Sequence, residues 1–279
     1  MKRNIVFFSM LFKNIPGLIG CIIILCVVFC AIFAPVIAPY DPQQPIMEDN
    51  RMPPSAEHIF GTDEVGMDIF SRIIYATRID LTIGVLATLV SLFIGIPVGI
   101  LVGYYEGLFG EVIMRLTDLL QAFPVFIFAM VLVAVLGNKM QNIIAAITFL
   151  NAPIYLRLVR TEVLSVKRHP FVEAARCAGK SDFHIMFKEL LPNSIKPALI
   201  QASVNVGWAI LLTAGLSFIG AGIRVPTPEW GSMISLGADS IMTGQWWSSF
   251  FPGMAIMVTV LGFALFGDFL RTYLDPERR

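Results

Sequence analysis

Long apolar runs, broken by polar and basic stretches, dominate the chain. A bilayer core about 30 Å thick needs about 20 largely apolar residues in a helix. Six segments meet or approach that length: 17–38, 79–103, 119–137, 142–158, 197–222 and 250–270. The fourth is short and contains Asn151 and Pro153, so any error in the count is expected there. The pattern predicts an all-α, polytopic membrane helix bundle of about six transmembrane helices. The first run follows Lys2, Arg3 and Lys13, as a signal peptide would. Its apolar core exceeds the usual 7–15 residues of such a peptide, and its Ala-Pro pairs make poor cleavage sites, so an uncleaved anchor is expected.

The second run carries a small residue at every fourth position: Ala87, Ser91, Gly95, Gly99 and Gly103. Residues four apart share a helix face, and small ones let another backbone approach closely. A helix-packing face is expected there. The fifth run bears Gln201 and Asn205. Amides are costly in hydrocarbon, so these two face protein, as a structural hydrogen bond between helices or as part of a water-filled pathway.

Composition agrees with the pattern. Of 279 residues, 56% are hydrophobic and 14% charged, against about 25% charged in soluble domains. The formal net charge is zero, which argues against a nucleic-acid partner. Basic residues also orient the spans, because Lys and Arg collect on the cytoplasmic side. With the N-terminus inside, fifteen of the 20 fall in inner segments, among them Lys167, Arg168, Arg176, Lys180, Lys188 and Lys196. Only Arg51, Arg72, Arg78, Lys139 and Arg224 fall outside. Both termini are therefore expected in the cytoplasm. Cys21, Cys26, Cys30 and Cys177 have neither metal-site nor redox spacing and read as small apolar residues.

The loop 161–196 is basic and too long for a tight turn. Pro170 suits a helix first turn, Gly179 a left-handed C-terminal cap, and Ser181-Asp182 a second helix start. Phe183, Met186, Phe187, Leu190 and Leu191 then form an apolar stripe, which Pro192 ends. A basic amphipathic loop of this kind lies on anionic lipid or docks into a groove on another protein. Gly179-Lys180-Ser181 mimics the end of a phosphate-binding loop. The glycine required five positions earlier is Ala174, so nucleotide binding by this chain is rejected.

Glu173-Ala174-Ala175, Gly179 and Leu191-Pro192 stand in the register of the signature shared by permease subunits of bacterial ABC importers, and the loop resembles theirs. Glu189 departs from it, at a usually apolar position. Other stretches resemble the peptide/nickel branch, in particular the C-type permease of dipeptide and oligopeptide systems. They include Phe60-Gly61-Thr62-Asp63, Gly66-Met67-Asp68, Ser71-Arg72, Ala122-Phe123-Pro124, Pro226-Thr227-Pro228-Glu229-Trp230-Gly231, Phe251-Pro252-Gly253 and Leu274-Asp275-Pro276. Met67 replaces the usual arginine.

The resemblance implies a type I importer permease fold. It also implies a second homologous permease, two ATP-binding subunits below and an extracytoplasmic substrate-binding protein above. ATP and Mg would sit on the partner subunits, with no cofactor on this chain and no enzyme activity of its own. The loop would be the coupling element, which favours protein over lipid as its target. Its stripe would either anchor to the membrane helices or face the ATPase; Glu173 would pair with the ATPase or cap a local amide. The expected division is an anchor and extracytoplasmic segment, 1–78, and a permease core, 79–279. Peptides are the expected cargo, with nickel or a metal chelate as the alternative. His58, His169 and His184, read as solvated loop residues, do not decide between them. A stand-alone secondary transporter would need ionisable groups at mid-membrane depth; Asp118, Arg157 and Asp268 lie near span ends instead.

Overall fold

The computed structural model describes residues 2–274. Asp275, Pro276, Arg278 and Arg279, used above for the family likeness and for orientation, lie outside the described residues. Helices account for nearly everything described, and an isolated bridge between Thr62 and Asp68 is the only β pairing among those residues.

Helix α1 (Lys2–Lys13) precedes α2 (Ile15–Ile37), whose first turn is capped by Asn14. After an irregular segment come α3 (Ile69–Tyr104), α4 (Leu108–Ala122), α5 (Val125–Leu136) and α6 (Met140–Val166). The basic loop holds α7 (Pro170–Cys177), α8 (Asp182–His184), a π-helical stretch (Ile185–Leu190) and α9 (Leu191–Ser194). Helices α10 (Lys196–Phe218), α11 (Trp230–Ile241) and α12 (Trp247–Leu274) complete the bundle.

Five of these, α2, α3, α6, α10 and α12, are long and apolar enough to cross a membrane. The segment expected as a third straight span is instead the pair α4 and α5, bent by 93°. Pro124 causes the break: it has no N–H to donate and holds Phe123 extended, at φ −80° and ψ 141°. Apolar periodicity continues through the bend, which hid it from a pattern search. The fourth span, where error was expected, is an unbroken helix of 27 residues with Pro153 inside it.

The count of crossings follows from helix direction. Gly95 lies against Ala152, Gly99 against Leu156 and Gly103 against Val163, so α3 and α6 run parallel. The chain must therefore return between them, and α4–α5 is the segment that makes the return. Helix α12 runs antiparallel to α10, with Gly267 beside Ser203 and Gly207 beside Val260. Helix α2 runs antiparallel to α12, with Gly17 beside Phe269. Residues 13 and 274 thus end up at the same end of the bundle, together with the basic loop. Six crossings satisfy all of these directions.

Helix α3 organises the molecule. Its 36 residues extend about 54 Å at about 1.5 Å per residue, well beyond a bilayer core. It begins at Ile69 rather than at 79, so the expected division after residue 78 falls within it. Its small-residue face packs on α6: a Cβ added at Gly95, Gly99 or Gly103 would lie 2.7, 2.7 or 2.8 Å from α6 atoms. Between them, Ser91 Oγ donates to Ala87 O at 2.6 Å and to Thr148 O at 3.3 Å.

The end opposite the basic loop is braced by buried polar groups. Asp68 caps α3 by accepting from Ser71 N at 2.7 Å. His58 is 2% exposed, and its Nδ1 donates to Asp68 Oδ1 at 2.9 Å. It is not the solvated residue expected from an isolated loop histidine, because the segment folds back on its own helix cap. Arg72, also buried, donates to Pro42 O at 2.8 Å and to Met67 Sδ at 2.6 Å. The departure at Met67 therefore supplies an acceptor. The first turn of α11 is held by two carboxylates. Glu229 accepts from Gly231 N and Ser232 N at 2.9 and 2.7 Å; Asp80 of α3 accepts from Trp230 N at 3.2 Å.

Overpacking a tight contact costs about 1–3 kcal/mol or more. Gly99→Leu should therefore strip α3 from α6 and abolish monodisperse protein in detergent. Gly253→Ala, whose added Cβ meets its nearest neighbour only at 4.0 Å, should leave the elution profile and melting temperature unchanged. Size-exclusion chromatography with thermal melting checks both.

Candidate functional site

The basic loop is built as a compact knob. Pro170 opens α7, where its missing N–H costs nothing. Gly179 closes α7 with φ +74°. Its N–H donates to Arg176 O at 2.9 Å, and Lys180 N reaches back to Ala175 O at 3.2 Å. That paired pattern is a Schellman cap, which requires a left-handed residue at Gly179. Ser181 Oγ then accepts from His184 N at 3.3 Å and starts the next helix. The helix widens into π turns over Ile185–Leu190, just before Pro192, which has no N–H for the regular ladder. It runs on through Leu191–Ser194, so Pro192 marks a change of winding rather than the end expected from its position.

The widening splits the predicted stripe. Met186 and Leu190 are buried in a cluster with Tyr104, Tyr155, Val159 and Val163 of the long helices, and Phe187 and Leu191 pack against it. Val172 and Ala175 join the same cluster from α7. Phe183 lies outside it: the residue is 69% exposed, and its ring meets that of Phe187 at 4.6 Å between centroids with the planes tilted by 35°. Of the two roles weighed for the stripe, four residues anchor the knob and one faces outward.

Glu173 and Ala174 are exposed beside Phe171, and Gly179 sits on the same outer surface. Glu173 makes no hydrogen bond or ion pair with any described residue, so it caps no local amide. Glu189, at the usually apolar position, pairs with Lys180 and lies 3.8 Å from His184. The Lys180 ammonium, bonded to it, holds the Glu189 carboxyl below the usual carboxylate range. The departure thus closes the knob on itself. Gln201 Nε2 donates to Asn205 Oδ1 at 2.8 Å along one face of α10, and Asn205 is 3% exposed. That bond satisfies the Asn205 oxygen, while Asn205 Nδ2 is buried with no hydrogen-bond partner among the described residues.

The knob is thus anchored on one side and exposed on the other. A model of the binding-protein-dependent transport system inner membrane component matches residues 95–279, which include the entire knob. The chain belongs to this permease family. A second model, the N-terminal TM domain of oligopeptide transport permease C, matches residues 6–54 of the permease. Its relatives include the dipeptide transport system permease protein DppC of Alkalihalophilus pseudofirmus, 43% identical over 81% of this permease and 74% of the relative. The glutathione transport system permease protein GsiD of Pectobacterium atrosepticum is 41% identical over 80% and 74%. The di/tripeptide transport system permease protein DppC of Pseudomonas aeruginosa is 39% identical over 95% and 89%.

Sequence reasoning missed several groups around this surface. Asp182, read as part of a helix start, does not cap it; Asp182 instead accepts from Tyr104 Oη at 2.6 Å and from Tyr105 Oη at 3.3 Å. Asp118 and Arg157, noted only as lying near span ends, form an ion pair at 2.7 Å between α4 and α6. Beside it, Gln121, Ile154, Arg157, Leu158, Thr161 and Glu162 line an open cleft of about 410 Å³. No one-dimensional pattern marks such pairs, since 39 residues separate Asp118 from Arg157.

A depressed carboxyl contributes its stabilisation above its unfolded value and loses it as pH falls through the folded one. The Lys180–Glu189 closure should therefore be present at neutral pH and disappear on acidification. Glu189→Gln mimics the protonated form. It should raise amide hydrogen exchange across 180–190 at neutral pH, after correction for intrinsic rates, and make protection there independent of pH. Equal protection in both proteins throughout the range would remove the role assigned to this pair.

Proposed function

We propose that this permease is the translocation subunit of an ATP-driven importer of short peptides. The observation that carries it is the knob, anchored by Met186 and Leu190 and exposing Phe183, Glu173 and Ala174 away from the bundle. Such a surface fits a groove on a separate subunit, where an exposed aromatic acts as anchor. Two ATP-binding subunits would supply the energy, with ATP and Mg bound on them. A second homologous permease would complete the pathway, and an extracytoplasmic binding protein would deliver the cargo. The knob and both described ends of the chain would lie in the cytoplasm; the concentration of Lys and Arg there supports this orientation.

Peptide cargo is favoured over nickel by the named relatives, which serve dipeptide, di/tripeptide and glutathione systems. The open cleft beside the Arg157–Asp118 pair supports a polar route on the face that this chain leaves uncovered.

Gly179 offers a direct test. An added side chain would meet nothing within 4 Å, so only the backbone conformation resists substitution. A β-branched residue pays about 1–2 kcal/mol in the left-handed region, whereas Asn adopts it readily. Gly179→Val should reach the membrane at normal levels and abolish uptake; Gly179→Asn should retain it. In a strain deleted for this gene, labelled dialanine uptake should disappear while nickel-63 uptake persists. Loss of nickel uptake alone would overturn the peptide assignment, and normal uptake by Gly179→Val would overturn the role of the knob.

A further inference from the structure

We propose that the hydrogen bond between Tyr104 and Asp182 is the joint through which the knob moves α3. This inference rests on the importer role proposed above and assigns its force-transmitting contact. Tyr104 is the last residue of α3 and is 6% exposed. Its ring belongs to the apolar cluster that holds the knob, in contact with α7 and the π turns. Its hydroxyl leaves that cluster and donates to Asp182 Oδ1 at 2.6 Å, on the outer side of the Gly179 turn. A hydrogen bond to a carboxylate is short and directional, and it resists sliding in a way that apolar contact does not.

Four further contacts fix the ring and the helix end. Lys167, just past α6, donates to Tyr104 O at 2.7 Å and to Glu106 at 2.9 Å. The Lys167 ammonium lies 5.4 Å from the Tyr104 ring centroid, and the Arg176 guanidinium of α7 lies 5.5 Å from it. Cations within about 6 Å of an aromatic face are attracted to it. One side chain thus meets α6 through Lys167, α7 through Arg176 and the second half of the knob through Asp182. Displacing the knob without moving the end of α3 would break the Arg176 and Asp182 contacts. Because α3 packs on α6 from Ala87 to Gly103, movement at Tyr104 carries both helices.

The test uses the complete assembly of both permeases, two ATPase subunits and binding protein in liposomes. The probe is labelled dialanine, and the readout is dialanine moved per ATP hydrolysed. Tyr104→Phe keeps the ring and its cations and removes the hydroxyl. It should assemble and hydrolyse ATP normally while the ratio falls by about fivefold or more, the scale of a typical coupling between sites. Asp182→Ala, which also releases Tyr105, should lower the ratio at least as far, Asp182→Asn should retain most of it, and the Tyr104→Phe/Asp182→Ala double variant should be no worse than Asp182→Ala alone.

A second readout needs no transport. With the native cysteines replaced, spin labels at Lys188 on the knob and Phe93 on α3 should give one narrow distance in the parent, with and without ATP. In Tyr104→Phe that distance should broaden when ATP is added. An unchanged ratio together with a narrow distance in Tyr104→Phe would overturn the joint. A parent that holds the narrow distance yet moves no dialanine would overturn the cargo assignment and leave the joint supported.

Discussion

The parallel contact between α3 and α6 is the constraint on which the rest of the structure depends. Apolar attraction does not drive helices together inside hydrocarbon, so close packing must do it, and packing requires absent side chains. Gly95, Gly99 and Gly103 let α3 rest directly on the Ala152 and Leu156 carbonyls and on Val163. The contact sets more than a distance. Two parallel neighbours demand a return crossing, which the bent α4–α5 pair provides. The contact also brings the end of α3 beside the end of α6, where Lys167 and Tyr104 meet. The knob is then assembled on a platform of two helices already locked in register.

The opposite end of α3 is locked by different means. There hydrogen bonds are added to the apolar packing of Ile69, Ile73 and Ala76 against Trp230 and Trp247. Asp68, Arg72 and Asp80 of one helix end hold, in turn, His58, the Pro42 and Pro226 carbonyls, and Trp230. Leaving one member of such a buried network unpaired costs about 1–3 kcal/mol, so the bonds hold one another in place. Helix α3 is thus a rod with a polar clamp at one end, an apolar seam along its middle and an aromatic–cation joint at the other. A rod fixed in this way passes displacement from one end to the other with little lost to bending.

What could be read in the sequence was whatever repeats along the chain. Apolar runs gave the helical membrane class, spacing by four gave the face of α3 that meets α6, and the cap at Gly179 followed from local turn chemistry. What could not be read was whatever depends on tertiary approach. His58 looked solvated because nothing nearby in the chain announces that Asp68 will cap α3 and accept from it. Pro124 and Pro153 look alike in sequence. One breaks its helix by 93° and the other sits within an intact one, because α6 is held on several sides and the α4–α5 bend is largely exposed. The stripe from Phe183 to Leu191 was drawn for a regular helix, and the π turns reassigned Phe183 to the outer surface.

That reassignment bears on how a permease subunit takes part in an energy-driven cycle. If the whole stripe faced outward, partner binding would compete with anchoring, and a push on the loop would only detach it. If it were wholly buried, nothing apolar would remain to grip a partner. The winding change before Pro192 divides the stripe, so one short segment anchors inward and grips outward together. The Lys180–Glu189 pair closes the knob between these two faces. A surface pair of this kind adds little to global stability. Its effect is local stiffness, and stiffness is what a transmitting element needs: the stiffer the knob, the more of any displacement at Phe183 reaches Asp182 and, through it, the end of α3.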